Sequence, residues 1–118
     1  MSVQSLTFLG VHTSAFDETV RFYRDIMQLR IIREGRGLVW FELGNGVEVH
    51  VYGPDDQDHE FFGPGPVVGL LVDDFDATRA RMLADGIEFI GPVQRSEHAT
   101  WNHYRGPDGN IYEIMSRP

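Results

Sequence analysis

The chain has 118 residues, 42% hydrophobic and 24% charged, the proportions of one globular domain with a real core. Ten basic against 18 acidic residues leave a formal charge of −8, which argues against nucleic acid as a partner and is compatible with a cationic ligand. There is no cysteine, which excludes disulfides, thiolate metal sites and a cysteine nucleophile.

The first apolar run, 6–11, suits a buried strand. Over 16–27, Val20, Tyr23 and Met27 recur at spacings of three and four, with Phe16, Phe22 and Ile26 widening the apolar face; this predicts an amphipathic helix. Phe22 and Tyr23 are expected in the core. Thr13 or Ser14 is placed to cap the helix, and Asp17 and Glu18 suit the positive end of its dipole. Strands are expected over 29–33 and 38–43, then a tight turn at Asn45-Gly46 and a strictly alternating strand over 47–52. The Pro- and Gly-rich stretch 53–66 reads as a connection, with Phe61 and Phe62 packed down onto the body.

A strand over 67–72 follows, the longest apolar run and far short of the roughly 20 residues of a membrane span. Next come a helix over 75–85 closed by Gly86, a strand over 87–90, a loop over 91–99, a strand over 101–105, the turn Pro107-Asp108-Gly109 and a last strand over 110–116. Phe75 and Phe89 read as core. The N-terminus carries no basic segment leading into an apolar one, so residence in the cytoplasm is expected.

The two halves repeat each other. Gly10, Phe16, Asp17 and Thr19 recur 59 residues later as Gly69, Phe75, Asp76 and Thr78; Asn45-Gly46 and His50 recur 63 residues later as Asp108-Gly109 and Glu113. Each half reads βαβββ. The expected fold is therefore α+β: one domain over 1–118, built of repeats at about 5–52 and 67–116 joined by 53–66, forming a curved mixed sheet around a central cleft.

Residues two apart on a strand share a face. Phe8, Gly10 and His12 lie together, as do Glu48, His50 and Tyr52, then Val67, Gly69 and Leu71, then Ile111, Glu113 and Met115. Phe8 pairs with Val67 and His50 with Glu113, so two polar, metal-competent groups occupy related positions within apolar strands. A buried Glu113 is expected to be paired, protonated or facing a wet cavity; contact with His50 or an arginine, or a solvent-facing position, would meet that need.

Phe22-Tyr23-Arg24-Asp25, the Gly86-Ile87 turn after the second helix and the ending Gly106-Pro107-Asp108-Gly109-Asn110-Ile111-Tyr112-Glu113-Ile114 resemble the vicinal oxygen chelate superfamily. That group includes glyoxalase I, extradiol dioxygenases, methylmalonyl-CoA epimerase and the bleomycin-resistance proteins. The resemblance implies metal ligands on the first and last strands of each repeat, which fall here on Phe8, His50, Val67 and Glu113. Two of these four side chains cannot coordinate anything, and a facial or octahedral site needs at least three protein donors. His12 lies about 13 Å along the strand from Phe8; His98 and His103 are the other imidazoles available to a rearranged site.

The expectation is a small-molecule binding protein of the glyoxalase/bleomycin-resistance type, without a complete catalytic metal site or other cofactor. It would sequester an aromatic or cationic ligand in a cleft lined by Phe8, His12, Trp40, His50, Val67, Trp101, His103 and Glu113. Phe41, Phe61 and Phe62 are further aromatics of that region. The alternative is a metal-dependent lyase, isomerase or dioxygenase, with His50 and Glu113 holding a divalent ion and one additional ligand, or working as base and tuner of the base. The resemblance also implies a homodimer.

Overall fold

Each repeat folds as a strand, a helix and three further strands in this computed structural model, which describes residues 2–63 and 65–118. Pro64, inside the expected connection, lies outside the described residues. The chain divides into two compact units, one spanning Phe8–Val67 and the other combining the N-terminal residues up to Thr7 with Val68–Pro118.

In the first half, β1 (Val3–His12) leads to α1 (Phe16–Arg21), then to β2 (Arg30–Gly35), β3 (Leu38–Glu42) and β4 (Glu48–Tyr52). The strands lie in the order β2-β3-β4-β1, antiparallel except where β1 runs parallel to β4. One face of this sheet is the core: Val39, Phe41, Val49 and Val51 are buried with Val20 of α1, and Leu9, Val11, Phe16, Tyr23 and Ile31 pack against them. Strict alternation along β4 produces that face, since Val49 and Val51 point to the helix and His50 and Tyr52 to the other side.

The single helix expected over 16–27 is two pieces. After α1, Phe22–Ile26 forms a π-helical turn in which Met27 N–H donates to the Phe22 carbonyl five residues back. The wider turn rotates its side chains off the helical stripe. Val20 stays buried and Tyr23 stays packed on Phe41, but Phe22, Ile26 and Met27 are exposed. Phe22 is thus not a core residue. Nor do Thr13 or Ser14 cap the helix: Ala15 is the N-cap and has no side chain able to serve, while Thr13 Oγ1 accepts from the Ala15 N–H.

The second half contains β5 (Val67–Val72), α2 (Phe75–Ala84), β6 (Glu88–Arg95), β7 (Thr100–Arg105) and β8 (Ile111–Ser116), in the order β5-β8-β7-β6 with β5 parallel to β8. Helix α2 is properly capped at both ends. Asp74 accepts from Ala77 N–H. At the far end Gly86, at φ +86°, lets Gly86 N–H reach the Leu83 carbonyl and Ile87 N–H the Met82 carbonyl, a Schellman closure. Val72, Phe75, Tyr104 and Ile114 form this half's core, with Phe89 packed against it.

The loop expected from residue 91 is mostly strand. β6 runs on to Arg95 through a bulge between Ile90 and Gln94. Asn102 accounts for it: its buried amide lies 3.2–3.4 Å from the carbonyls of Ile90, Gly91 and Pro92, supplying the donor that a regular ladder would have provided.

Candidate functional site

The polar face of the first half is organised around His50. Antiparallel register sets Trp40 opposite His50, and parallel register sets Gly10 opposite it on the other side. Because Gly10 has no side chain, Phe8 leans over the vacant position; a Cβ there would lie 2.8 Å from Phe8 Cε2 and 3.0 Å from Phe62 Cε2. The imidazole is consequently sandwiched, with Trp40 at 3.9 Å and 5° on one face and Phe8 at 4.7 Å and 20° on the other. The stack continues at both ends: the Arg33 guanidinium sits 4.7 Å over the Trp40 ring, and Phe62 lies 6.3 Å beyond Phe8.

Hydrogen bonding fixes the imidazole as well. The Trp40 indole N–H only donates, and it reaches the Tyr52 hydroxyl at 3.0 Å. That hydroxyl then donates to His50 Nδ1 at 3.3 Å, leaving Nε2–H to donate to Glu48 Oε1 at 2.8 Å. Both ring nitrogens are engaged within the half.

The connection after β4 folds back over this face. Phe62 is buried, edge-on to Tyr52, whereas Phe61 remains 43% exposed. His59 stacks on Tyr52 at 3.7 Å and lies 3.1 Å from both oxygens of the buried Asp56 carboxylate. His12 Nε2 donates to the Asp56 backbone carbonyl at 2.8 Å. Val67, at the end of the same segment, has no exposed surface.

The equivalent place in the second half is built differently. Glu113 stands opposite Gly69 on β5 and opposite His103 on β7, as His50 stands opposite Gly10 and Trp40. Its partner is His103, whose Nε2 lies 2.9 Å from Glu113 Oε2, with both side chains 9% exposed. This cross-strand neighbour is the partner that Glu113 has within its own half. Trp101, two residues along β7 and half-buried, is opposite Met115. His98 is exposed beside Glu97, between β6 and β7.

Among the described residues no three His, Asp or Glu side chains are grouped to hold a metal ion. At the four ligand positions that the resemblance implied, Phe8 and Val67 have no donor atom, His50 has both nitrogens committed and Glu113 is spent on His103.

Sequence reasoning placed Phe62 in this region and Glu48 and Tyr52 on the His50 face without giving the latter two a role, and it left out Arg33, Asp56 and His59. Tyr52 had a legible signal, alternation with His50. Asp56 and His59 stand three apart in a stretch read only as a connection, and composition hid them.

The chain belongs to the Glyoxalase/Bleomycin resistance protein/Dioxygenase superfamily, whose model matches residues 6–114. A superfamily member of known structure from Vibrio splendidus superposes with a TM-score of 0.72 at 19% identity, covering 95% of this chain and 99% of that one. Methylmalonyl-CoA epimerase from Mycobacterium tuberculosis gives a TM-score of 0.71 at 19% identity, covering 98% and 89%. In sequence, an uncharacterized protein of Shewanella frigidimarina is 26% identical over 95% of this chain and 93% of its own length. The mixed α+β fold of eight strands and two α-helices is that of the superfamily.

Proposed function

We propose that the protein binds a small aromatic or cationic molecule and does so without a catalytic metal centre. The observation that carries this reading is the state of His50: stacked between two aromatic rings, with Nε2 on Glu48 and Nδ1 on Tyr52. A metal ligand must offer a free lone pair, and this imidazole is built into a wall instead. With Phe8, His50 and Tyr52 buried in it, the parts of that wall a ligand can reach are Trp40 and His12. Trp40 and His12 on it are half-buried, and a flat apolar platform with a few oriented polar groups is what small-molecule sites consist of. The net charge of −8 favours a cationic guest.

Metal analysis of protein purified without chelator, together with quenching of Trp fluorescence by a cationic aromatic compound, tests the proposal. Micromolar quenching insensitive to chelator is expected. Stoichiometric metal lost in both His50→Ala and Glu113→Ala would replace this reading with a metal-dependent enzyme of the superfamily. We also propose a cytoplasmic homodimer; light scattering at micromolar concentration reads the mass, and a monomer overturns the dimer.

A further inference from the structure

The stack around His50 ends in a side chain of the edge strand. β2 is outermost in the strand order, and register sets Arg33, Trp40 and His50 abreast on β2, β3 and β4. Arg33 reaches that row through a bulge. Arg30 opposes Glu42 and Ile31 opposes Phe41, so a regular ladder would bring Ile32 opposite Trp40; the pairing skips Ile32 and brings Arg33 there instead. The bulge exchanges an aliphatic neighbour of the indole for a cationic one.

His50 stacks at 3.9 Å on one face of the Trp40 ring, and the guanidinium at 4.7 Å covers the other. The two covers differ in how they are held. His50 is buried and hydrogen-bonded through both nitrogens, whereas Arg33 is exposed. Arg30 and Arg36 on the same hairpin each face a carboxylate, Glu42 at 2.8 Å and Asp55 at 3.8 Å. Among the described residues Arg33 has no such partner, and its contact is the ring itself. No strand lies outside β2, so a guanidinium that swings away leaves that ring face open at the sheet edge. Arginine stays charged at all ordinary pH values, so the cover is always a cation.

We propose that Arg33 is a built-in occupant of the outer face of Trp40, and that a flat cationic guest binds there by displacing it. This rests on the ligand-binding reading above and adds the place and the competitor. A cation over an exposed ring gains little relative to water, so evicting Arg33 weakens the guest by only about two- to fivefold. A cationic guest remakes the contact with the negative face of the indole; a neutral one of the same shape does not.

Calorimetric titration at neutral pH with N-methylquinolinium, a flat cation, and with quinoline, its neutral counterpart, tests this. The native protein is expected to favour the cation. Arg33→Ala should tighten N-methylquinolinium about two- to fivefold. Arg36→Ala removes the same charge from the same hairpin and should leave the affinity unchanged. In proton NMR of the free native protein the Trp40 ring current should shift the Arg33 side-chain protons upfield, and the shift should vanish as N-methylquinolinium saturates the site. A shift retained in the complex, or no tightening in Arg33→Ala beyond that in Arg36→Ala, overturns the displacement and leaves ligand binding intact. Weaker binding in Arg33→Ala, or a preference for the flat carboxylate quinaldate that this variant abolishes, makes Arg33 an anion anchor and also overturns it. Equal native affinity for N-methylquinolinium and quinoline overturns the choice of a cation. Binding of neither probe by the native protein or by Arg33→Ala overturns both the displacement and the ligand-binding reading. Thermal melts of the variants confirm that they fold.

Discussion

The same position in the repeat is filled twice in this chain, once with stacked rings and once with a carboxylate facing an imidazole. His50 and Glu113 each stand opposite a glycine on a parallel strand and next to a side chain on the strand beside the edge strand, Trp40 on β3 in one half and His103 on β7 in the other. In the first half the polar residue is embedded in a stack of flat groups, and its nitrogens are satisfied by hydroxyl and carboxylate. In the second half it is a buried carboxylate facing an imidazole. The two repeats share this backbone register and differ in chemistry, so position within a fold predicts neighbours far better than it predicts roles.

Removing one partner from the second half should do the most damage. His103→Leu leaves the Glu113 carboxylate buried without the group that faces it, and should destabilise by about 3–5 kcal/mol. Urea denaturation at neutral pH measures this, and adding Glu113→Leu should recover most of the loss; no recovery would mean that the pair is not the source. The first half should tolerate the corresponding change better. Trp40→Ala removes a half-buried ring from between Arg33 and His50 and should cost about 3 kcal/mol, the low end for loss of a large aromatic. A loss equal to that of His103→Leu would erase the distinction between the halves.

Gly10→Ala comes next. Its Cβ meets only the far ends of Phe8 and Phe62, which can yield, so a cost of about 1–3 kcal/mol in a thermal or urea melt is expected, with Phe62 displaced. A stabilised variant would mean that the stack is loose there.

The smallest contrast lies in the matching turns. Asn45 Oδ1 accepts from Val47 N–H, and Asp108 Oδ1 accepts from Asn110 N–H. Only the second is ionisable. The Tyr112 hydroxyl donating to Asp108 holds that carboxyl below its ordinary 3.8 and pushes the Tyr112 phenol up. A lowered carboxyl contributes stability above its unfolded value, and that contribution fades as pH falls below 3.8 through the folded value. Acid titration followed by NMR should therefore loosen the Asp108 turn while the Asn45 turn stays unchanged; parallel behaviour of both turns contradicts this.

Much of the fold was legible because patterning dictated it. The alternation of 47–52 and the recurrence of Gly10 as Gly69 fixed strands, faces and the equivalence of His50 with Glu113. The π turn was not legible, since the spacing of Val20, Tyr23 and Met27 satisfies a regular helix equally well and only tertiary packing chooses between them. The extended β6 depends on one amide, Asn102, satisfying three carbonyls from another strand, an arrangement with no local signature. Of the site, Trp40 and His50 were readable as neighbours of interest, but the partner of Glu113 was not. Finding His103 beside it takes the register of β7 against β8. Asp56 and His59 were hidden for a simpler reason: a stretch rich in Gly and Pro discloses a turn and nothing about what its side chains hold.

The π turn also sets a length. Its bond from residue 27 back to residue 22 spans one residue more than a regular α-helical bond. A chain one residue shorter over 22–26 is therefore expected to close that turn as ordinary α-helix and still deliver β2 to its register with β3; a deletion variant that melts like the native protein supports this, and one that fails to fold overturns it.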